Sequence, residues 1–384
     1  MYKKLSDFIR EIYRTNDFIP LHEPSLGENE LNAVQDCIRS GYVSSVGSMV
    51  NLFESEISKI TGIENSIATV NGTAALHLAL KISGAETNTE VVTQSLSFIA
   101  TTNAIAYCGA SPVFIDVDLD TLSLCPRALS EYLETNCEVR EDGYCWNNST
   151  QKRVVACLVM HTFGFPAKIP EISQICQKYG LKLVEDSAEA IGSYEDNIHV
   201  GSNSDFSILS FNGNKIITTG GGGMIQTNDQ SLAEKARHLS TTARTKREYF
   251  FEHDEIGFNY RLPNLNAALG IGQLKSLQEF LCKKRWLAKL YQEWGAKNEV
   301  NFVKERKNTR ANYWLNALLL SNKSERDDFL TQTNSCGIQT RPVWVPIHML
   351  PMYSACEKDS LENTEWLANR LVNIPSSPVP YEIS

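Results

Sequence analysis

In the stretch "SFNGNKIITTGGGGM" (Ser210 to Met224) one amine, Lys215, stands after an apolar run and before four consecutive glycines. A lysine amine can attack a carbonyl or carry a proton. Glycines beside it suggest a phosphate cradle. Yet a nucleotide P-loop has its glycines before the lysine and a Ser or Thr after it. Here Ile216 follows. Taken alone, the stretch is equally well explained by a solvated lysine before a flexible turn.

Other reactive side chains recur just after apolar runs. Asn71, Gly72 and Thr73 follow "NSIATV" and open a helical run. The free N–H groups and dipole of such a helix start attract an anion, and Thr73 adds a hydroxyl. Phe98 follows "VVTQS", Asp186 and Glu189 follow "KLVE", and Ser210 closes "ILS". Singly these have ordinary explanations: Thr73 as a helix cap, Phe98 as core, Asp186 as a capping carboxylate.

The elements that must position them alternate. Strand-like runs ("NSIATV", "TEVVTQS", "SPVFIDVD", "RVVACLVMH", "LKLVED", "FSILSF", "GGGMIQT") are separated by helical ones such as "TAALHLALKISG" and "PEISQICQKYG". This alternation predicts an α/β fold with a mostly parallel, doubly wound sheet. Ligands of such sheets bind beyond the carboxyl ends of the strands, where these residues fall. The polar segment from Glu134 to Arg153 reads as a surface excursion. From "LPNLNAALGIGQL" the pattern becomes a long helical stretch, then "YWLNALLL" as a strand and "ERDDFLTQTNSCG" as a helix. The expected division is a large domain over 1–255, with its N-terminal segment, and an interdomain helix with a small α/β domain over 256–384.

Composition narrows the function classes. The chain has 384 residues, is 42% hydrophobic and 21% charged, and carries a net charge of -9. That balance disfavours a general binder of nucleic acid or anionic membrane. Phe8, Ile9, Ile12 and Tyr13 fall at helical spacing, so the N-terminus reads as an amphipathic helix and not a signal peptide. No stretch reaches the roughly 18 apolar residues of a membrane span. The ten cysteines are scattered without a CxxC pair. Reduced thiols, no metal site and a cytoplasmic location are expected.

Together the strand-end residues describe a ligand with a phosphate, an aromatic ring, a basic ring nitrogen and a carbonyl. Pyridoxal phosphate has all four. Lys215 would form the Schiff base, Asp186 would hold the proton on the ring nitrogen and Phe98 would stack on the ring. Glu189 would orient the substrate or the cofactor hydroxyl. Asn71, Gly72 and Thr73 at the helix start would take the phosphate, Ser210 would also contact the cofactor, and pyridoxamine phosphate would be the intermediate form.

The pieces "NGTAALHLAL", "HTFGFPAKIPEI", "VEDSAEAIGS", "SFNGNKIITTGGGGMI" and "GFNYRLPNLNAALGIGQL" resemble, in this order, the DegT/StrS sugar-nucleotide aminotransferases of PLP-transferase fold type I. The resemblance implies that Asn259 of "GFNYR" reaches the cofactor phosphate of a neighbouring subunit in an obligate homodimer with shared active sites. Relatives that dehydrate at C3 carry histidine at the lysine position, whereas this chain has Lys215. Members often show "GEGG" where this chain has "GGGG".

Within the group, "FIPLHEP", "SGYVSSVG", "HDEIGFNYRLPN", "NYWLNA" and "VNIPSS" are similar to the legionaminic-acid-pathway branch. That likeness implies amination of C4 of a UDP-linked 4-keto-6-deoxy-N-acetylglucosamine by glutamate. The alternatives are the same chemistry on a GDP- or dTDP-linked sugar, or a non-catalytic regulator on the same fold. A diphosphate substrate needs cations, and Arg244, Lys246, Arg247 and Arg341, with His348, are the candidates. Tyr313 and Trp314 are candidate platforms for the base.

Overall fold

The computed structural model of the chain describes residues 2–245, 247, 249–379 and 381. Helix α1 (Tyr2–Tyr13) buries Leu5, Ile9 and Ile12 on one face, as the spacing predicts. A connecting segment leads to α2 (Glu28–Ser40) and α3 (Ser48–Thr61). Gly41 and Gly62 end these two helices in the left-handed conformation that glycine adopts without a Cβ clash.

The alternating region then forms. It runs through β1 (Asn65–Thr69), α4 (Gly72–Ile82), β2 (Thr89–Gln94), α5 (Ile99–Tyr107), β3 (Ser111–Ile115) and α6 (Pro126–Asn136). A hairpin of β4 (Cys137–Val139) and β5 (Cys145–Asn147) precedes β6 (Arg153–Met160), α7 (Ile169–Tyr179) and β7 (Lys182–Asp186). The short strands β8 (Tyr194–Glu195) and β9 (Ile198–His199) are followed by β10 (Phe206–Ser210), β11 (Gly223–Thr227) and α8 (Gln230–Ser240).

Strands β1-β11-β10-β7-β6-β2-β3 lie in that order in a nine-stranded sheet, with the β4–β5 hairpin joined to β6. From β10 to β3 neighbouring strands are parallel. The β11 strand is antiparallel to both β10 and β1, unlike the fully alternating pattern. The reason is its connection: no helix lies between β10 and β11, and a parallel return would need a crossover. Because β1 is antiparallel to β11, it points the same way as the parallel set. Thr69, Gln94, Met160, Asp186 and Ser210 therefore end on one edge.

The segment from Glu134 to Arg153 is more ordered than a surface excursion. Its Asp142-Gly143 turn closes the hairpin, and Cys137, Cys145 and Asn147 are buried in it. Asn147 donates to Glu90 of β2 at 2.9 Å.

The later chain forms α9 (Asn264–Leu274), α10 (Leu277–Asn298), β12 (Asn301–Phe302), β13 (Thr309–Arg310) and β14 (Asn316–Leu319). It ends with α11 (Lys323–Ser335), β15 (Arg341–Pro342), α12 (Glu362–Ala368) and β16 (Leu371–Ile374). Strands β12-β14-β16-β15 make a small antiparallel sheet. Two packing relations cross the expected boundary between 1–255 and 256–384. Leu5 and Ile9 of α1 pack with Leu287, Tyr291 and Phe329 of the small unit, while α9 packs on α2 and α3 of the large one. Leu5, Ile9 and Ile12 are buried there, and each such side chain contributes about 1.5–3 kcal/mol when fully buried. Among the described residues no helix is long and apolar enough to cross a membrane.

Candidate active site

A cavity of about 700 Å³ opens at the strand edge where the two units meet. Gly72, Thr73, Phe98, Asp186, Glu189, Ser210 and Lys215 all line it, and the small unit adds Trp314 and Arg341.

The helix start comes first. Asn71 caps α4 by accepting from the Ala74 N–H at 2.7 Å, so the cap is Asn71 and not Thr73. The α4 start and the end of β10 approach closely, since a Cβ at Gly72 would lie 3.1 Å from Ser210 Cβ. Gly223 explains part of the glycine run. A Cβ there would lie 2.5 Å from the Asn71 carbonyl, so only glycine lets β11 pass the mouth of α4. Free N–H groups with hydroxyls on either side make a phosphate cradle.

Asp186 ends β7 inside the protein. One carboxylate oxygen accepts from Thr101 Oγ1 at 2.7 Å and the other from the Ala188 N–H at 3.2 Å. Burial pushes its pKa up, and the Thr101 bond, the Ala188 bond and the Lys215 charge pull it back. A carboxylate has about four acceptor sites, so two protein partners leave room for a cationic N–H of a ligand.

Glu189 is buried beside it. Its Oε2 accepts from the Phe163 N–H at 2.9 Å, and its Oε1 lies 3.2 Å from Lys215 Nζ. Phe163 holds a left-handed backbone at φ 56°, a conformation unfavourable for an aromatic residue. That turn aims its N–H at the carboxylate.

Lys215 is clamped between two groups. Opposite Glu189, the Trp314 ring lies with its centroid 4.1 Å from Lys215 Nζ, a cation–π contact. The indole is itself fixed. Its Nε1 donates to the Asn214 carbonyl at 2.7 Å, and the Trp314 backbone N–H donates to Asn312 Oδ1 at 2.8 Å. Asn312 also donates to the Glu189 and Ile191 carbonyls, tying the small unit to the Glu189 loop. Buried Lys284 donates to the Trp314 carbonyl at 3.0 Å.

Burial pushes Glu189 up to about 7, more than the neighbouring Lys215 charge can offset. The ordinary carboxylate value is 4.5. Between those pH values the folded chain holds a proton that the unfolded chain has lost, so stability falls as pH rises through the window. Glu189→Gln removes this titration. Melting of the apoprotein should show the variant gaining on wild type by up to roughly 3 kcal/mol above about pH 7, and little near pH 5. A gap equal at both pH values would contradict the buried-carboxylate assignment.

Other sequence candidates lie elsewhere. Tyr313 is buried in the core, its ring 5.2 Å from that of Phe165 and its hydroxyl bonded to Gln292. It is no platform for a base, because its ring packs into the core while Trp314 takes the cavity side. His348 is buried between Ser95 Oγ at 2.8 Å and Glu365 at 3.3 Å, and it does not line the cavity. Arg244, Arg247 and Asn259 line a second cleft of about 550 Å³ with Arg261. Lys246 lies outside the described residues. Sequence reasoning missed His22, which lines the main cavity from the segment between α1 and α2. No periodicity marks it, since that segment is neither helix nor sheet.

The residues present fit pyridoxal phosphate. The α4 start and Ser210 would hold the phosphate, Asp186 the ring nitrogen, Phe98 a ring face, and Lys215 the carbonyl carbon. In comparison with known proteins, residues 24–379 match the DegT/DnrJ/EryC1/StrS aminotransferase family. The chain is 34% identical to the GDP-perosamine synthase of Escherichia coli O157:H7 over 364 residues, covering 94% of each. It is 33% identical to that of Vibrio cholerae, again covering 94% of each. Its fold is similar to the crystal structure of the aminotransferase TlmJ from Streptoalloteichus hindustanus, with a TM-score of 0.84 and 29% identity over 94% of this chain and 93% of that one. The chain therefore belongs to the DegT/DnrJ/EryC1/StrS family, and it is a pyridoxal-phosphate-dependent sugar-nucleotide aminotransferase of fold type I.

Proposed function

We propose that the chain transfers the amino group of glutamate to C4 of a nucleotide-linked 4-keto-6-deoxyhexose. Glutamate leaves as 2-oxoglutarate, and the sugar leaves as the 4-amino-4,6-dideoxy nucleotide. The observation that carries this reading is Lys215, held between Glu189 and Trp314 in the cavity that Asp186 and the α4 start also line. Bound pyridoxal phosphate supplies a carbonyl and an electron-withdrawing ring that hold the nitrogen between the two substrates. Lys215 moves the proton at the carbon that gains or loses nitrogen. Asp186 keeps the ring nitrogen protonated. Glu189, titrating near neutrality, can share a proton with Lys215. Trp314 and Trp344 wall the cavity and limit water.

The names of the relatives support a GDP-linked acceptor ahead of the UDP-linked N-acetyl sugar. The second reading keeps its support in the motifs "FIPLHEP", "SGYVSSVG" and "NYWLNA" of the legionaminic-acid branch. Comparing kcat/KM for GDP-, UDP- and dTDP-linked 4-keto-6-deoxy sugars separates them. A preference for GDP of about tenfold or more is the expected result. A like preference for the UDP N-acetyl sugar reverses the base and leaves the transamination intact. Amination of none of them overturns the function.

The homodimer with shared sites belongs to the same proposal. Asn259 and Arg244 line the second cleft, away from the cavity of Lys215 in their own chain. A cleft with Arg247 and Arg261 suits phosphate supplied at a partner's site. Inactive Lys215→Ala chains mixed with inactive Asn259→Ala chains should regain activity through hybrid dimers, up to about a quarter of wild type for random pairing with one intact site. No recovery under demonstrated subunit exchange would place Asn259 in its own chain's site.

A further inference from the structure

We propose that His22 reads the sugar ring of the acceptor, its free ring nitrogen taking a hydrogen bond from a ring substituent that can donate one, a hydroxyl or the N–H of an acetamido group. This rests on the reading of the acceptor as a nucleotide-linked sugar and adds to it a residue that fixes which sugar is accepted.

Both ring nitrogens of His22 are shielded from solvent, and neither makes a well-formed hydrogen bond within the protein, although the Asn214 backbone draws on the ring. Leaving two buried polar atoms unpaired is costly, so such a site calls for a ligand or bound water to complete it. The ring is held in place by its backbone. The Leu21 N–H donates to Gln339 Oε1 at 2.9 Å, and the Leu21 carbonyl accepts from the Ser376 N–H at 2.7 Å. The Glu23 N–H donates to Ser377 Oγ at 3.0 Å. The chain is thus fastened on both sides of the imidazole.

Location selects the part of the substrate. The His22 ring centroid lies 6.4 Å from that of Trp314, the indole that also covers Lys215 Nζ. Lys215 works at C4 of the sugar, so His22 faces the ring carbons nearby and not the distant base. Charge selects the group. Burial, then the cations of Lys284 and Lys215, push the His22 pKa well below its ordinary value. A neutral imidazole has one donor and one acceptor. Phosphates and the carboxylates of glutamate are acceptors only and would leave its lone pair opposed. The two nitrogens point apart, so one substituent meets only one of them, and a hydroxyl or the N–H of an acetamido group meets the lone pair.

The test uses holoenzyme and reads the two half-reactions separately from cofactor absorbance. Calorimetry gives the Kd of the amino-sugar nucleotide. His22→Phe keeps the ring volume and removes both nitrogens, and His22→Gln restores one donor and one acceptor. We expect His22→Phe to leave the glutamate half-reaction within about twofold and to weaken sugar binding about tenfold or more, with His22→Gln recovering part. Sugars lacking the C2 or C3 substituent should weaken wild type by a like factor at one of these positions and His22→Phe hardly at all. An equal fall in both half-reactions would make His22 a packing residue and overturn the proposal. Equal sensitivity of wild type and His22→Phe to every deoxy sugar would do the same, leaving only a bound water on the imidazole. If wild type takes nitrogen from glutamate but passes it to no sugar nucleotide, the underlying function fails, and the proposal with it.

Discussion

Lys215→Ala should lower turnover by about 10⁴-fold or more, because one substitution removes both the nucleophile and the proton carrier. Lys215→Arg should be equally inactive. A guanidinium keeps the charge between Glu189 and Trp314 but never offers a free amine at working pH. The pair of variants separates chemistry from charge. Folding should survive both, since Lys215 contributes only the Glu189 and Trp314 contacts at the cavity wall. Cofactor should still be retained noncovalently through the α4 start and Ser210. Single-turnover rates with glutamate, on variants of matched melting temperature, provide the measurement. Activity of Lys215→Ala within about tenfold of wild type would show that another group carries the proton.

Asp186→Asn should cost about 10²–10³ in kcat, the range seen when one preorganised electrostatic partner is removed. The amide keeps the volume of the carboxylate and can keep its neighbours. Its oxygen can accept from the Ala188 N–H, and the Thr101 hydroxyl can turn to accept from the new NH₂. What is lost is the charge that holds a proton on the ring nitrogen. The loss should appear in both half-reactions alike, because both use the same ring. Unchanged kinetics with full cofactor content would place a different residue at the ring nitrogen.

Much of this site was legible because a parallel sheet collects strand ends on one edge. Gly72, Thr73, Asp186, Glu189, Ser210 and Lys215 each follow an apolar run, so locating the strands already located the site. The residues from the small unit were harder. Tyr313 and Trp314 are adjacent and both aromatic, and nothing in their order says which faces the cavity; Asn312 and Lys284 decide it through bonds to the Trp314 backbone. His348 looked like a cation at the pocket mouth, but Ser95 and Glu365, remote in sequence, hold it inside. The turn of β11 was hidden because a strand pattern carries no direction. Only the missing crossover helix could have signalled it. The place of α1 on the small unit was equally hidden, since its apolar face says that it must be covered but not by what.

The most direct measurement follows the nitrogen itself. Holoenzyme is given glutamate labelled at its amino nitrogen and a GDP- or UDP-linked 4-keto-6-deoxy sugar, and the products are resolved by mass spectrometry and NMR. Labelled nitrogen is expected on C4 of the sugar, with one 2-oxoglutarate formed per amino sugar and no transfer by Lys215→Ala. Release of 2-oxoglutarate with no label in any sugar nucleotide, or undiminished labelling by Lys215→Ala, would contradict the proposed transfer.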